Sequence, residues 1–573
     1  MRIKSYQRHM LYSIFSMTFL LRFVHKYDWP IWGSDSGEYL YLTRYLIENG
    51  MMLNENYIGW GRAYPDFQGM QILTATMALI FDISYFTSLT WFIPLVSGLA
   101  IPMLFIIGKE LVGFTPALFG SAFYGVTFGV VYANSHPMPG GLAETIGFVV
   151  LLNWIMLLKS GDIWEINPLK RNPWGNLMKF SFFALLITHH FTLLLLMAAM
   201  LGILIVEIAA GNKKIAKSGI MAVGLMSLAI SAYWLVYAKS FRKMLDDSAF
   251  DFMPDAIPTT LVLTLIPIIS LFVIWLVKDR LYLPLLKENI SHETYLKRTT
   301  ASFVGIFIVI MLVLWKGVPG TDIPVDFEAT PYLSLNLAIM SLACVPSFVM
   351  SKKNSWLLWG WLLPILGLAT IGAITGSHLL IAYRHAPYLL APTALIIGIS
   401  FQYFIVGFEE NKRKYVTALF STLLVGCALG AYPPPSVMGG FQEGTNQEEV
   451  DGVLWFQFVE QNSLVVSDHR LSSMTFGLSE TNASWEHGAE VINGNAEEAI
   501  LASKNFTTPR AGIKDVTYIL LSKEMEKGVA LLQWDPAEEL TGEAKTKFTD
   551  NKQFPIWFNN GETIIMRMPD KQY

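Results

Sequence analysis

The stretch from Arg8 to Pro30 reads RHMLYSIFSMTFLLRFVHKYDWP. Basic residues (Arg2, Lys4 and Arg8) stand ahead of an apolar run, Met10 to Val24. A signal peptide has the same beginning, but it ends in a small-residue cleavage site. Here the next residues are His25-Lys26-Tyr27-Asp28-Trp29-Pro30, so the run is read as a retained first span with its N-terminus in the cytoplasm, where basic flanks stay.

Beyond it the chain repeats the pattern. A helix crossing a hydrocarbon core of ~30 Å needs about 20 mainly apolar residues. Apolar runs follow at 86–107, 113–132, 143–158, 176–189, 192–210, 218–237, 259–277, 300–316, 332–350, 355–375, 386–407 and 414–431. Placed in alternation, they put Lys109, Lys159, Lys170, Arg171, Lys213, Lys214, Lys217, Lys278, Arg280, Lys352, Lys353, Lys412, Arg413 and Lys414 on the cytoplasmic side. The amphipathic stretch Phe67–Phe81 is apolar enough to cross, yet a crossing there would flip every one of those clusters outward. It is therefore laid along the membrane surface, as is Gly37–Asn49.

The expected fold is a polytopic α-helical membrane protein of about thirteen spanning helices. Residues 1–431 form its membrane domain, with a first outside loop over 26–84, and 432–573 form a small extracytoplasmic α/β or α+β domain. The tail carries strand-like pieces at Ser463–Val466, Val516–Leu521 and Thr563–Met568 and a helix-like one at Glu490–Ser503. The run Pro433-Pro434-Pro435 makes a stiff exit from the last span.

Composition agrees. Of 573 residues, 53% are hydrophobic and 15% charged, well below the quarter of a soluble domain. The net charge of −4, without a basic stripe interleaved with aromatics, argues against nucleic acid as a partner. Cys344 and Cys427 both fall in apolar runs and read as packed thiols. Phosphate-binding glycine loops, zinc-protease helices and serine-hydrolase elbows are absent.

Ionisable groups near membrane depth are costly and mark function. In the first outside loop Asp35 follows the first span closely, and Glu38 lies one helical turn beyond. Asp35 also suits a helix N-cap, which is compatible with catalysis. The second loop, 133–144, carries His136 and Glu144 among two prolines and two glycines. Glu144 reads either as a complement to the dipole of the returning helix or, beside His136, as part of an acceptor or metal site. Asp326 and Glu328 add carboxylates on the same side, and Arg384-His385 follows the eleventh span. An arginine there either pairs a phosphate or snorkels. His189-His190 point about 100° apart on a helix, a poor chelate, and read as packing or bonding between helices. Asn482-Ala-Ser and Asn505-Phe-Thr are glycosylation sequons in the outside domain.

This order of parts resembles the GT-C superfamily of membrane glycosyltransferases, most closely the catalytic subunits of oligosaccharyltransferases. Asp35 to Gly50, DSGEYLYLTRYLIENG, looks like that family's first-loop motif, with Asp35 at its catalytic acid. The second acidic motif falls at 133–144, where Glu144 matches in type, and the family's loop glutamate falls near Asp326 and Glu328. The sequon-reading WWDYG signature is absent, and Ser484-Trp485-Glu486-His487-Gly488 is a faint echo of it. Val465 to Ser473, VVSDHRLSS, is similar to segments of archaeal members.

The resemblance implies a transferase in the plasma membrane that moves a sugar or oligosaccharide from a polyprenyl-phosphate or pyrophosphate donor to a protein, lipid or glycan acceptor outside the cytoplasm. Asp35 and Glu38 are then catalytic, Arg384 and His385 bind the donor phosphate, and His136 and Glu144 face the acceptor. A divalent cation, Mg2+ or Mn2+, is implied on Asp35, Glu144, Asp326 and Glu328, since hard cations favour carboxylate oxygens. The competing reading is a transporter or flippase of a lipid-linked or amphiphilic solute. It would place polar groups at the midplane in repeated halves, whereas these carboxylates gather at one face.

Overall fold

In the computed structural model, the described residues are 5–50, 57, 59–161, 173–247, 258–283, 291–316, 330–344, 353–375, 380, 382–432, 443–459, 462–508, 512–527 and 540–569. Helix occupies at least part of every stretch read above as a span, from Ser5–Leu21 to Glu410–Leu429. Among the described residues, 7 helices are long and apolar enough to cross a membrane: Tyr85–Val112, Pro139–Ser160, His190–Ala209, Lys213–Tyr237, Thr259–Val277, Trp356–Thr375 and Ala386–Val406. Phe114–Val126 and Phe128–Ser135 make an eighth if their 63° bend lies within one span.

The chain is thus a helical membrane protein, and among the described residues seven or eight of the expected thirteen helices meet the requirement by length and composition. Three of the remaining expected spans fall short for physical reasons. Ser5–Leu21 has 17 residues and Pro173–Leu186 has 14, short of the 20 or so that span the core. Glu410–Leu429 opens on Glu410, Lys412, Arg413 and Lys414. Gly69–Phe81 has 13 residues and ends at Asp82 in the left-handed conformation (φ 51°). At 1.5 Å per residue it extends about 20 Å, too little to cross.

Arg22, just past the first helix, explains the bend in the 114–135 pair. Its guanidinium is fully buried and donates from Nη1 to Thr18 O at 2.8 Å and Gly125 O at 2.6 Å. Gly125 lies in the last turn of Phe114–Val126, whose carbonyls have no amide partner within the helix and favour a cation. The side chain therefore ties the first helix to the break.

The tail is an α/β domain. Strands β1 (Ile31–Trp32) and β2 (Gly444–Thr445) pair antiparallel and tie the first loop to the tail. A five-stranded sheet follows, built from β3 (Leu464–Val466), β4 (Asn482–Ala483), β7 (Tyr518–Ser522), β8 (Ile556–Asn559) and β9 (Thr563–Arg567) in the order β4-β3-β7-β9-β8. β5 (Phe506–Thr508) and β6 (Gly512–Lys514) form a separate hairpin. β3 pairs parallel with β4 and β7, while β9 pairs antiparallel with β7 and β8. Every residue of β3 and β7 is buried, as expected of strands covered on both faces.

The three strand-like pieces expected in the tail correspond to β3, β7 and β9. The helix expected over Glu490–Ser503 is broken into Ala489–Ile492 and Ala496–Ala502, because Asn495 opens the second with a capping box to Glu498. The proline exit at 433–435 lies outside the described residues.

One apolar core joins the tail to the first loop. Ile31, Tyr39, Leu40 and Met70 are buried together with Val450, Leu464, Ile519 and Met566. The closest approach is between helices Ser36–Asn49 and His469–Ser479. A Cβ on Gly37 would stand 2.1 Å from Ser473 O, and one on Gly477 would stand 2.0 Å from Gly37 O. Only glycine permits this backbone contact. Beside it Tyr41 packs on Phe476 with ring centroids 4.5 Å apart, and Arg44 pairs with Glu480 at 2.6 Å.

Candidate active site between the first loop and the tail

Asp35 occupies the N-cap position of Ser36–Asn49, as its residue type suggests, but its side chain makes no capping bond. Both carboxylate oxygens turn to tertiary partners. Oδ2 accepts from the Tyr64 hydroxyl at 2.9 Å, and Oδ1 lies 2.8 Å from Nε2 of His469. His469 opens the tail helix His469–Ser479, which Asp468 caps by accepting from the Leu471 amide at 2.7 Å. The other ring nitrogen, Nδ1, lies 2.8 Å from Glu486 Oε1, off the N–H axis. Carboxylate, imidazole and carboxylate thus stand in a row, and Trp60 meets the His469 ring edge-on at 5.0 Å.

The row sets the charges. Burial by itself would lower His469, but its bond to Asp35 and the close carboxylate charges of Glu486 and Asp35 hold the imidazole well above its ordinary value. Burial would raise the Asp35 carboxyl, yet His469, by bond and by charge, and Tyr64 bring it below the usual range. Tyr64 is pushed well above the ordinary phenol, by burial first and then by the Asp35 charge. The His469 side chain is only 3% exposed, while the Asp35 side chain is 27% exposed.

The other expected residues divide. Glu38 is fully buried and serves the loop: Oε1 accepts from the Gly61 amide at 2.8 Å and from the Tyr57 hydroxyl, and its own amide donates to Ser473 Oγ at 3.2 Å. His136 is buried, stacks on Trp32 at 5.9 Å and lies 4.0 Å from Glu443. Glu144 is not beside it. The returning helix begins at Pro139, which puts Glu144 in its second turn rather than its first. There it accepts from the Tyr124 hydroxyl and lines a small, partly open pocket with Thr192, Tyr388 and Trp361. The dipole role expected of Glu144 therefore falls away, since the effect is confined to the first turn.

Arg384 is exposed, and the neighbouring His385 is fully buried against Phe191, ring centroids 5.0 Å apart. Tyr39 connects this end to Asp35. Burial first and the Asp35 charge second raise its hydroxyl well above the ordinary value, and the Arg384 charge opposes them. Arg384 and Asp35 are thus both within electrostatic reach of Tyr39. His190 packs on Phe241 at 4.3 Å, as expected of one of the pair, while His189 accepts from the Thr192 amide at 3.3 Å and caps its own helix, a role the sequence reading did not give it.

Asp326 and Glu328 lie outside the described residues. Among the described ones no three His, Cys, Asp or Glu side chains are placed to hold a metal ion. Asp35 spends its oxygens on His469 and Tyr64, and Glu144 looks into the bundle, so the two do not form the donor pair expected of them.

Sequence reasoning missed His469, Glu486 and Tyr64 as site residues. The Asp468 cap ahead of a helix was a readable signal for the position of His469, and Glu486 sits in the segment that faintly echoes WWDYG. Nothing local pointed either of them at Asp35.

A helical membrane domain whose acidic first loop is closed over by an α/β tail is a GT-C-like architecture. Solved structures of this kind are similar to the chain along nearly its whole length. The apo crystal structure of the Archaeoglobus fulgidus oligosaccharyltransferase superposes with a TM-score of 0.63 at 12% identity, covering 97% of this chain and 80% of that one. The archaeal oligosaccharyltransferase AglB from Archaeoglobus fulgidus, in complex with an inhibitory peptide and a dolichol-phosphate, gives 0.58 at 11% identity over 97% and 80%. The Archaeoglobus fulgidus enzyme in complex with Zn and sulfate gives 0.57 at 11% over 97% and 72%. At such identities the likeness concerns the fold. No protein-family model matches the sequence. No curated protein matches it.

Proposed function

We propose that this chain is a membrane glycosyltransferase that transfers a sugar or oligosaccharide from a polyprenyl-phosphate or pyrophosphate donor to an acceptor outside the cytoplasm. The observation that carries the reading is the Asp35–His469 pair, a partly open carboxylate fixed by a buried imidazolium where the first loop meets the tail. The GT-C-like fold supports it, as does the dolichol-phosphate held by the archaeal neighbour. The chain would sit in the plasma membrane with thirteen crossings, counting the helices too short or too charged to qualify alone, the N-terminus inside and residues 432–573 outside.

In this reading the acceptor donates its O–H or N–H to the exposed side of the Asp35 carboxylate. The acceptor atom bonds to the sugar C1 as the C1–O bond to phosphate breaks, the bonding pair leaving with the phosphate. The acceptor proton passes to Asp35 and on to solvent or the departing phosphate. A carboxylate lowered by His469 is a weak base, so its larger part is to orient the acceptor and to face the positive charge that develops at C1. Arg384 pairs the donor phosphate. Glu38 holds the loop beside Asp35, and His136 lies on the acceptor side. An Mg2+ or Mn2+ ion, implied by the resemblance, finds no donor set among the described residues.

A second reading is a flippase of a lipid-linked solute, because transporters place polar groups inside the bundle, where Glu144 accepts from the Tyr124 hydroxyl and Thr192 bonds the Tyr388 hydroxyl. Purified protein, a panel of radiolabelled polyprenyl-phosphate sugars and membrane extract separate the two. Transfer of label to an acceptor, with EDTA reporting on a metal, supports the transferase. Label that only crosses vesicle walls supports the flippase.

A further inference from the structure

Asp35 stands at the end of a two-residue turn, and one side chain from the tail holds that turn. Gly33 has φ +118°, a conformation that side chains rarely adopt, and a Cβ there would meet Ser36 Oγ at 3.0 Å and His136 Cδ2 at 3.5 Å. The Gly33 amide donates to the Glu443 carbonyl at 3.0 Å, and the Ser34 amide donates to Glu443 Oε2 at 2.7 Å. Glu443 Oε1 accepts from the Tyr132 hydroxyl at 3.0 Å. The pairing of β1 with β2 delivers Glu443 in register, since Trp32 faces Gly444.

The Glu443 side chain is 16% exposed, and among the described residues neither Lys nor Arg forms an ion pair with it. His136 Nε2 lies 4.0 Å away. A carboxylate this sheltered is costly unless its oxygens are used. Here they are used on the amide of Ser34, the residue before Asp35, and on the hydroxyl of Tyr132, from the helix that leads into the second loop.

We infer that Glu443 is a positioning residue for Asp35: it fixes the Gly33–Ser34 turn against Tyr132 and so sets where the Asp35 carboxylate meets the acceptor. The inference rests on the transferase reading for its effect on rate, but not for its effect on the turn. Charge-assisted hydrogen bonds are the strong ones, and their loss leaves the amide to open freely.

Glu443→Ala and Glu443→Gln in the full-length protein test it by hydrogen exchange and by kinetics. Glutamine keeps an acceptor for the Ser34 amide, whereas alanine keeps none. The expected result is Ser34 amide exchange at least about tenfold faster in Glu443→Ala and within about threefold of wild type in Glu443→Gln. Turnover should fall at least about tenfold in the alanine variant with the donor KM little changed, and glutamine should restore most of it. Unchanged Ser34 exchange in Glu443→Ala overturns the inference, and so does a loss that glutamine fails to restore or one that appears only in KM. If wild type transfers no sugar, the transferase reading falls by itself, and the exchange result still decides whether Glu443 holds the turn.

Discussion

Asp35, in the first loop, and His469, in the tail, are 434 residues apart in sequence and 2.8 Å apart in space. Their contact makes the tail part of the site: the first loop supplies the carboxylate, and the tail supplies the cation that fixes its direction. Glu486 behind His469 completes the row.

Removing the imidazole should therefore damage both docking and chemistry. His469→Ala leaves Asp35 without its cation and is expected to cost about 3 kcal/mol, in line with breaking a largely buried pair. Thermal unfolding in detergent measures it. His469→Gln, which keeps one donor, should lose less stability and still lose most of the activity.

The same pair predicts a pH dependence with a definite sign. His469 is raised in the folded state, so its contribution is complete below the unfolded value of about 6.5 and is lost as pH rises through the raised folded value. Asp35 is lowered, so its contribution is present above about 3.8 and is lost as pH falls through the depressed value. Wild-type melting temperature should decline on the alkaline side in a way that His469→Gln does not share. On the acid side Asp35→Asn should flatten the decline. Parallel curves for wild type and both variants would contradict the assignment.

The backbone contact between Gly37 and Gly477 predicts a steric test. Gly37→Val puts a branched side chain into a space where even a Cβ stands 2.1 Å from Ser473 O. The tail helix has to move away, at about 1–3 kcal/mol for an overpacked contact. Limited proteolysis should release the tail faster in this variant than in wild type, and Gly129→Ala, at a helical position with nothing near its Cβ, should not do so.

Inside the tail, Arg470 donates from Nη1 and Nη2 to the two oxygens of Glu449 at 2.6 and 2.7 Å, with both side chains fully buried. Glu449→Ala should cost about 3–5 kcal/mol because the buried guanidinium keeps only Asp468, at 3.5 Å, as a carboxylate partner, while Arg470→Met with Glu449→Leu should recover part of that loss. A double-mutant cycle on thermal stability reads the coupling.

Much of the fold was legible because its signals are local. The loop helix expected over Gly37–Asn49 is found at Ser36–Asn49, ended by Gly50 in the left-handed conformation, and the β-branched runs of the tail became strands. Glu144 was misplaced for a reason that was also local: Pro139 suits the first helical position, so the helix starts early and carries Glu144 past its first turn. Fewer spans qualify by themselves among the described residues than the apolar runs suggest, because helices such as Pro173–Leu186 are apolar but short. The site was only half legible. Asp35 could be picked out as a carboxylate close to the membrane, yet its surroundings suggested a cap. Tyr64 and His469 reach it only through tertiary packing, and no spacing rule joins residues so far apart.

The most direct test of the central claim is the rate of sugar transfer from a radiolabelled polyprenyl-phosphate donor by wild type, Asp35→Asn, His469→Gln and the double variant. If the two groups act as a unit, each single variant should lose at least about 100-fold and the double should lose little more, since residues acting together are strongly non-additive. Transfer at the wild-type rate by Asp35→Asn would contradict the account.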